Sequence, residues 1–208
     1  NTEDRMEGVF FTPPLTITAY AICLMAGLLG GTLGPAIVWN RLGLLGDTIS
    51  HSSLSVMALG LILGLPEQSL LIPFSIALGL GLALIRSHRV VDTDSVLAVV
   101  FAGMMGIGLL LMAATGVNPT RLLLLLAGDL SSTQPPDLLV VSAWTLLVMT
   151  YLLRFRRELR LITLQTDLAT IQGVRVKIHQ TALLILICVS IAICVKLMGV
   201  ILVTSLFV

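Results

Sequence analysis

Charge is the scarcest commodity in this chain. Only 11% of its 208 residues are Asp, Glu, Lys or Arg, against about 25% in a soluble globular protein. Aromatics make up 5%, and no basic patch is interleaved with them. With a formal net charge of +1, the composition gives no footprint for nucleic acid. The three cysteines, Cys23, Cys188 and Cys194, all lie in apolar runs and read as small buried thiols. The first residues, Asn1 to Glu7, are net acidic, the opposite of a secretory signal peptide. No G-x-x-x-x-G-K-[ST], H-E-x-x-H or G-x-S-x-G occurs, so the sequence carries no P-loop, zincin helix or nucleophile elbow.

What is abundant is apolar: 57% of the residues are hydrophobic, gathered in long uncharged blocks. Roughly 20 such residues cross a hydrocarbon core of about 30 Å, and no strand-like alternation suggests a β-barrel. The expected fold is therefore all-α, a polytopic helical membrane protein with six complete spans. These run from Leu15 to Trp39, Leu42 to Leu65, Leu70 to Ile85, Ser95 to Thr115, Leu138 to Leu153 and Thr181 to Val195. Small-xxx-small pairs at Gly27/Gly31, Gly30/Gly34 and Gly60/Gly64 permit close helix contact. Pro66, Glu67 and Gln68 read as a tight turn. The stretch Gly116–Asp137 holds an apolar piece too short to cross, with Gly128, Asp129, Pro135 and Pro136 around it; it reads as a re-entrant or surface helix. A start at Asn1 and an end at Val208, inside a further apolar segment, suggest a chain truncated before its final spans.

Orientation follows from the cations. With the Arg154–Gln180 loop in the cytoplasm and Gly116–Asp137 not crossing, Arg41, Arg86, Arg89, Arg154, Arg156, Arg157, Arg160, Arg175 and Lys177 all lie inside. Those are nine of the 12 Lys and Arg residues, as the positive-inside rule requires. Arg5, Arg121 and Lys196 lie outside or at an outer end, and the N-terminus is external.

The second span is the chemically loaded one. Its apolar part, Leu54–Leu65, is 12 residues long, about 18 Å of helix, so the crossing must include the polar run from Gly46 to Ser53. Counted from Arg41, His51 would lie about 15 Å deep, near the midplane. Asp47 and His51 are i, i+4 neighbours on one face, and Ser55 continues it. An ionisable pair at that depth is a hypothesis of an ion or substrate path. Carboxylate and imidazole suit zinc or manganese, and a symmetric dimer would raise two ligands to the four that zinc favours. Two other readings stay open: a proton relay, and a structural role with Asp47 as N-cap and His51 bonded to a neighbouring span. A serine hydrolase built on Ser50, Ser52 and Ser53 is disfavoured, because nucleophile and base normally converge from different elements.

The run Gly34-Pro35, Val38-Trp39-Asn40-Arg41-Leu42 and Gly46-Asp47-Thr48-Ile49-Ser50-His51-Ser52-Ser53-Leu54 resembles the permeases of zinc and manganese ABC importers. Asp92-Thr93, Ala127-Gly128-Asp129-Leu130, Asp137-Leu138, Asp167-Leu168-Ala169 with Gly173, and Gly199 to Leu206 look like that family's later motifs. Ser55 and Val56 follow Leu54 where some members have Pro-Gly. The resemblance implies residues 1–14 as an external segment and 15–208 as a transmembrane permease domain, multi-pass in a bacterial inner (plasma) membrane. It implies Asp47 and His51 in the metal path, with Zn2+ or Mn2+ as cargo and no permanently bound cofactor. It also implies three protein partners: a second permease copy, a cytoplasmic ATP-binding subunit that does the hydrolysis, and a periplasmic or lipoprotein metal-binding protein. A secondary transporter or proton-coupled channel using the same pair without ATP is the alternative.

In the cytoplasmic loop 154–180, Thr166 could cap a short helix Asp167–Gln172 with Gly173 as its C′ residue. The resemblance makes this the coupling helix that docks on the ATPase, with Thr166, Asp167, Leu168, Ala169 and Gly173 as its motif. An amphipathic helix lying on the bilayer is the competing reading. His88 and His179 read as solvated or headgroup-facing.

Overall fold

In lipid an apolar run has no water to satisfy its backbone, so it closes its hydrogen bonds within a helix. The computed structural model describes residues 13–64, 70–88, 92–115, 135–164 and 166–207, and all regular structure among them is helical. In chain order the helices are α1 (Pro13–Trp39), α2 (Leu45–Leu63), α3 (Leu71–His88), α4 (Thr93–Thr115) and α5 (Pro135–Arg154). There follow α6 (Arg156–Leu164), α7 (Thr166–Ile171), α8 (Val176–Met198) and α9 (Val200–Phe207). The six expected spans correspond to α1–α5 and α8. By length and composition α1, α4, α5 and α8 can each cross a membrane, and α3 has a shorter apolar stretch, Leu71–Arg86. At 19 residues, α2 is about 28 Å long, but its first half is polar.

The bundle is organised around α8. Of its apolar window 78% is buried, against 17% in α4 and in α5. The outer helices turn large side chains outward, including Leu24, Leu84, Val99, Leu110, Leu139 and Leu146, as lipid-facing surfaces do. α8 packs against α3, α2 and α1, while α2 packs chiefly on α4 and α1 on α5. A polar tie joins α5 to α8 in the core: Trp144 Nε1 donates to Ser190 Oγ at 2.9 Å, and Ser190 Oγ donates to the Leu186 carbonyl at 2.7 Å. Cys188 and Cys194 are buried free thiols, as expected, and Cys23 is half-buried.

Several boundaries move for physical reasons. α1 begins at Pro13 and α5 at Pro135, each two or three residues ahead of the span expected from Leu15 or Leu138. Proline fits a first turn because its missing N–H would have had no partner there. α1 ends in a Schellman turn, with Arg41 N–H on the Val38 carbonyl at 3.1 Å and Leu42 N–H on the Ile37 carbonyl at 3.0 Å. Arg41, not a glycine, holds the left-handed position (φ 53). The turn delays α2 to Leu45, so His51 stands six residues, about 9 Å, above the helix start. Arg86 Nη2 caps this turn on the Asn40 carbonyl at 3.2 Å. Gly64, expected as half of a packing pair, instead has φ 66 and ends α2. Among the expected glycine contacts Gly30 packs closely, against Leu206 of α9, while Gly27, Gly31 and Gly34 face open space. The expected re-entrant stretch lies outside the described residues up to 134, as do Glu67 and Gln68.

Candidate functional site

In α2 the residues from Thr48 to Ser53, and Ser55 beyond, supply hydroxyls at helical spacing. Thr48, Ser52 and Ser55 share one face, and Thr48, Ser50, Ser52, Ser53 and Ser55 are all buried. Several find backbone partners. Thr48 Oγ1 donates to the Leu44 carbonyl at 2.6 Å and stands 3.4 Å from the Leu97 carbonyl of α4. Ser53 Oγ donates to the Ser50 carbonyl at 2.5 Å. Ser55 Oγ crosses to α4 and donates to the Met104 carbonyl. That approach depends on Gly108, where a Cβ would come within 2.5 Å of Ser55 Oγ. Interhelical hydroxyl bonds and small residues are the means by which membrane helices hold register.

Asp47 and His51 occupy the face of α2 that this packing leaves half-open. Asp47 is the third residue of the helix, a position favoured for a carboxylate by the helix dipole, and not the N-cap of the structural alternative. His51 sets its ring edge-on to Phe101 of α4, with centroids 5.3 Å apart and planes at 89°. It makes no hydrogen bond to a neighbouring span: its buried Nδ1, with Ser50 Oγ and Ser52 Oγ, has no partner among the described residues. The large majority of buried side-chain polar atoms in proteins are paired, so three without a protein partner on consecutive residues set this stretch of α2 apart. No group of three or more His, Cys, Asp and Glu side chains occurs among the described residues.

The expected coupling segment forms a helix one residue earlier than anticipated, Thr166–Ile171. Gly173 is its C′ residue, as expected: φ is 77. Its N–H bonds the Thr170 carbonyl at 3.1 Å, and Val174 N–H bonds the Ala169 carbonyl at 3.0 Å, the two bonds of a Schellman motif. Ala169 is fully buried, and α7 packs on α6 and on the base of α8. The side chains of Thr166, Asp167 and Leu168 lie outside the described residues. α6 is strongly amphipathic. His179, expected to be solvated or headgroup-facing, is half-buried and bonds Tyr151 Oη through Nδ1 at 3.1 Å, with Phe155 packed on it at 5.0 Å between ring centroids. His88 ends α3.

A family model, the ABC 3 transport family, matches residues 13–208. The chain belongs to that family. Relatives of this ABC 3 member include the high-affinity zinc uptake system membrane protein ZnuB of Haemophilus influenzae, 25% identical over 89% of this chain and 71% of that protein. The manganese import system permease protein ScaB of Streptococcus parasanguinis is 26% identical over 99% of this chain and 71% of its own length. A membrane protein of Cyanophora paradoxa is 30% identical, covering 91% of this chain and 64% of its own. Among solved structures, PsaBC from Streptococcus pneumoniae in complex with Fab covers all of this chain and 74% of its own, with a TM-score of 0.75 at 20% identity. That likeness supports the fold. Family and fold make this a multi-pass helical membrane protein.

Phe101, Met104 and Gly108, which hold the polar helix from the α4 side, were not singled out from sequence. Hydroxyls recurring at positions 48, 52 and 55 demanded acceptors on a facing helix, and a glycine in an apolar span was the available signal for it.

Proposed function

We propose that the chain is the membrane-spanning permease subunit of an ABC importer in the inner (plasma) membrane, moving a divalent transition metal, with zinc favoured and manganese next. The observation that carries this reading is the Asp47–His51 pair, one helical turn apart on the half-open face of the largely buried first half of α2, with His51 Nδ1 unpartnered among the described residues. Zinc and manganese uptake in the names of the relatives supports the choice of cargo. A second copy placing its own pair opposite would complete four ligands, which suits a transported ion because a site shared between copies can be opened as well as closed. ATP hydrolysis is assigned to a separate cytoplasmic subunit docking on α7, and delivery to a periplasmic or lipoprotein metal-binding protein. Family membership favours this over a secondary transporter or proton-coupled channel.

The test is uptake of Zn2+ and Mn2+ in cells expressing the full permease with Asp47→Asn or His51→Ala. Uptake should be lost while co-purification with the ATPase persists. Normal uptake in both variants sinks the assignment.

A further inference from the structure

Two cavities flank the amphipathic helix α6. The first, about 410 Å³, is a groove between the C-terminal halves of α1 and α5, walled by Pro35, Ala36, Met149 and Leu153 and closed at one end by Arg156 and Arg160. Trp39 stands at the same end, 67% exposed, where an interfacial tryptophan belongs. The second cavity, about 480 Å³, is lined by Arg156, Arg157, Arg160, Leu161 and Gln172. Arg156 and Arg160, four apart on one helical face, therefore form the boundary between an apolar groove and a polar, cationic one.

Among the described residues no carboxylate lines either cavity, and Glu158 lines neither although it lies in the same turn. The N-terminus of a helix carries partial positive charge, which acids in the first turn usually offset. In α6 the first turn holds Arg156 and Arg157 beside a single acid, Glu158, so positive charge remains in excess there. An anion at this point would offset that excess. An apolar groove running into a cluster of arginines at the cytoplasmic end matches one kind of molecule, a negatively charged headgroup joined to hydrocarbon.

We propose that the paired cavities bind one anionic glycerophospholipid, an acyl chain lying in the α1–α5 groove and the phosphate held by Arg156, Arg157 and Arg160. The lipid would fasten α6 to α1, and with α6 the short α7 that packs on it. Its binding rests on the bilayer placement of the chain and not on the metal.

The experiment uses the full permease assembled with its ATPase, delipidated, then titrated with phosphatidylglycerol or phosphatidylcholine and read by native mass spectrometry and thermal midpoint. Expected is one phosphatidylglycerol retained per permease with a raised midpoint, and no comparable retention of phosphatidylcholine. Arg156→Gln with Arg160→Gln should weaken retention roughly thirtyfold, since each surface arginine contributes about fivefold. Arg175→Gln should leave it unchanged. Ala36→Trp, which fills the groove and keeps the arginines, should block retention too, and it covers the case in which the arginine variant does not assemble. Equal retention of the two lipids, or retention untouched by both the arginine pair and Ala36→Trp, overturns the proposal. So does efficient cross-linking from Trp39→Cys to a second copy or to the ATPase, which would mean that protein fills the groove.

Discussion

Gly108→Ala should damage this protein more than its size suggests, whereas Gly106→Ala, half a turn away, should not. A Cβ built on Gly108 lies 2.5 Å from Ser55 Oγ, 3.2 Å from Ser55 N and 3.3 Å from Ser55 Cα, while ordinary contact begins at 3.4 Å. The shortfall at the hydroxyl is 3.4 − 2.5, or 0.9 Å. Two of the three atoms are backbone, so rotating the serine cannot relieve the clash and α2 must move from α4. Overpacking of this kind costs about 1–3 kcal/mol, and loss of the Ser55 bond to the Met104 carbonyl adds about 1 kcal/mol. The helix propensity gained by replacing glycine returns about 1 kcal/mol. The net destabilisation is about 1–3 kcal/mol, which at about 2–4 °C per kcal/mol for a chain of this size lowers the thermal midpoint by about 5 °C. Gly106 has nothing within 4 Å of its Cβ position and should show only the propensity gain. Thermal unfolding of the purified variants in one detergent makes the comparison. Ser55→Ala in the Gly108→Ala background should recover part of the loss by removing the atom at 2.5 Å. Equal midpoints for the two glycine variants would refute the close α2–α4 packing.

Gly173→Val should weaken assembly with the ATPase, because a β-branched residue at φ 77 is strained by about 1–2 kcal/mol. Gly173→Asn should be tolerated better; co-purification yields for both test it. Ser190→Ala leaves the Trp144 indole N–H without its partner and should cost about 1–3 kcal/mol, and Trp144→Phe should remove most of that penalty in the double variant, read by thermal midpoint. Lys196 Nζ and Asp137 Oδ1 are 2.9 Å apart, with side chains 35% and 24% exposed. Exposure holds the pair to about 1 kcal/mol in a double-mutant cycle of Lys196→Met and Asp137→Asn. A coupling energy near zero would remove it as a tie between α5 and α8.

Much of this bundle was legible because hydrophobic length dominates in a membrane. The runs Leu15–Trp39 and Ser95–Thr115 became α1 and α4 within two residues. Cation placement was legible too: Arg86 reaches the α1–α2 turn at Asn40 and shares a crevice with Lys177, both on the side assigned to the cytoplasm. Lys196, an exception to that bias, pairs with Asp137 at the end of α5 away from Arg154. What sequence could not supply was tertiary. Glycine spacing names a surface that permits contact, not the partner that uses it, so Gly30 found Leu206 while Gly31 found nothing. Nor did the loop 154–180 announce two helices, since α6 is amphipathic but only 9 residues long, too short to form without the surface it lies on. Asp47 and His51 were placed on one face by spacing alone. Their half-open setting followed only once α4 and α8 packed against the hydroxyl-bearing faces of α2.

That setting bears on how a permease of this kind could release its cargo. A carboxylate and an imidazole on one helix hold a divalent cation weakly, and four such ligands hold it well. On the proposed reading the affinity therefore depends on the separation of two α2 helices, one from each copy, and not on any rearrangement within one. α2 is suited to move as a rigid body: hydroxyl bonds fix it to α4, its buried face carries Thr48 and Ser55 against that helix, and Gly108 lets the two backbones approach closely. On the same reading Ser50 and Ser52, buried and without a partner among the described residues, are neutral oxygens flanking His51 that would help solvate a partly dehydrated ion without adding the charge that would trap it. Replacing Ser50 and Ser52 together with alanine should slow uptake while leaving the thermal midpoint unchanged or higher, because two unsatisfied groups leave the core. A lowered midpoint with normal uptake would assign these hydroxyls to packing.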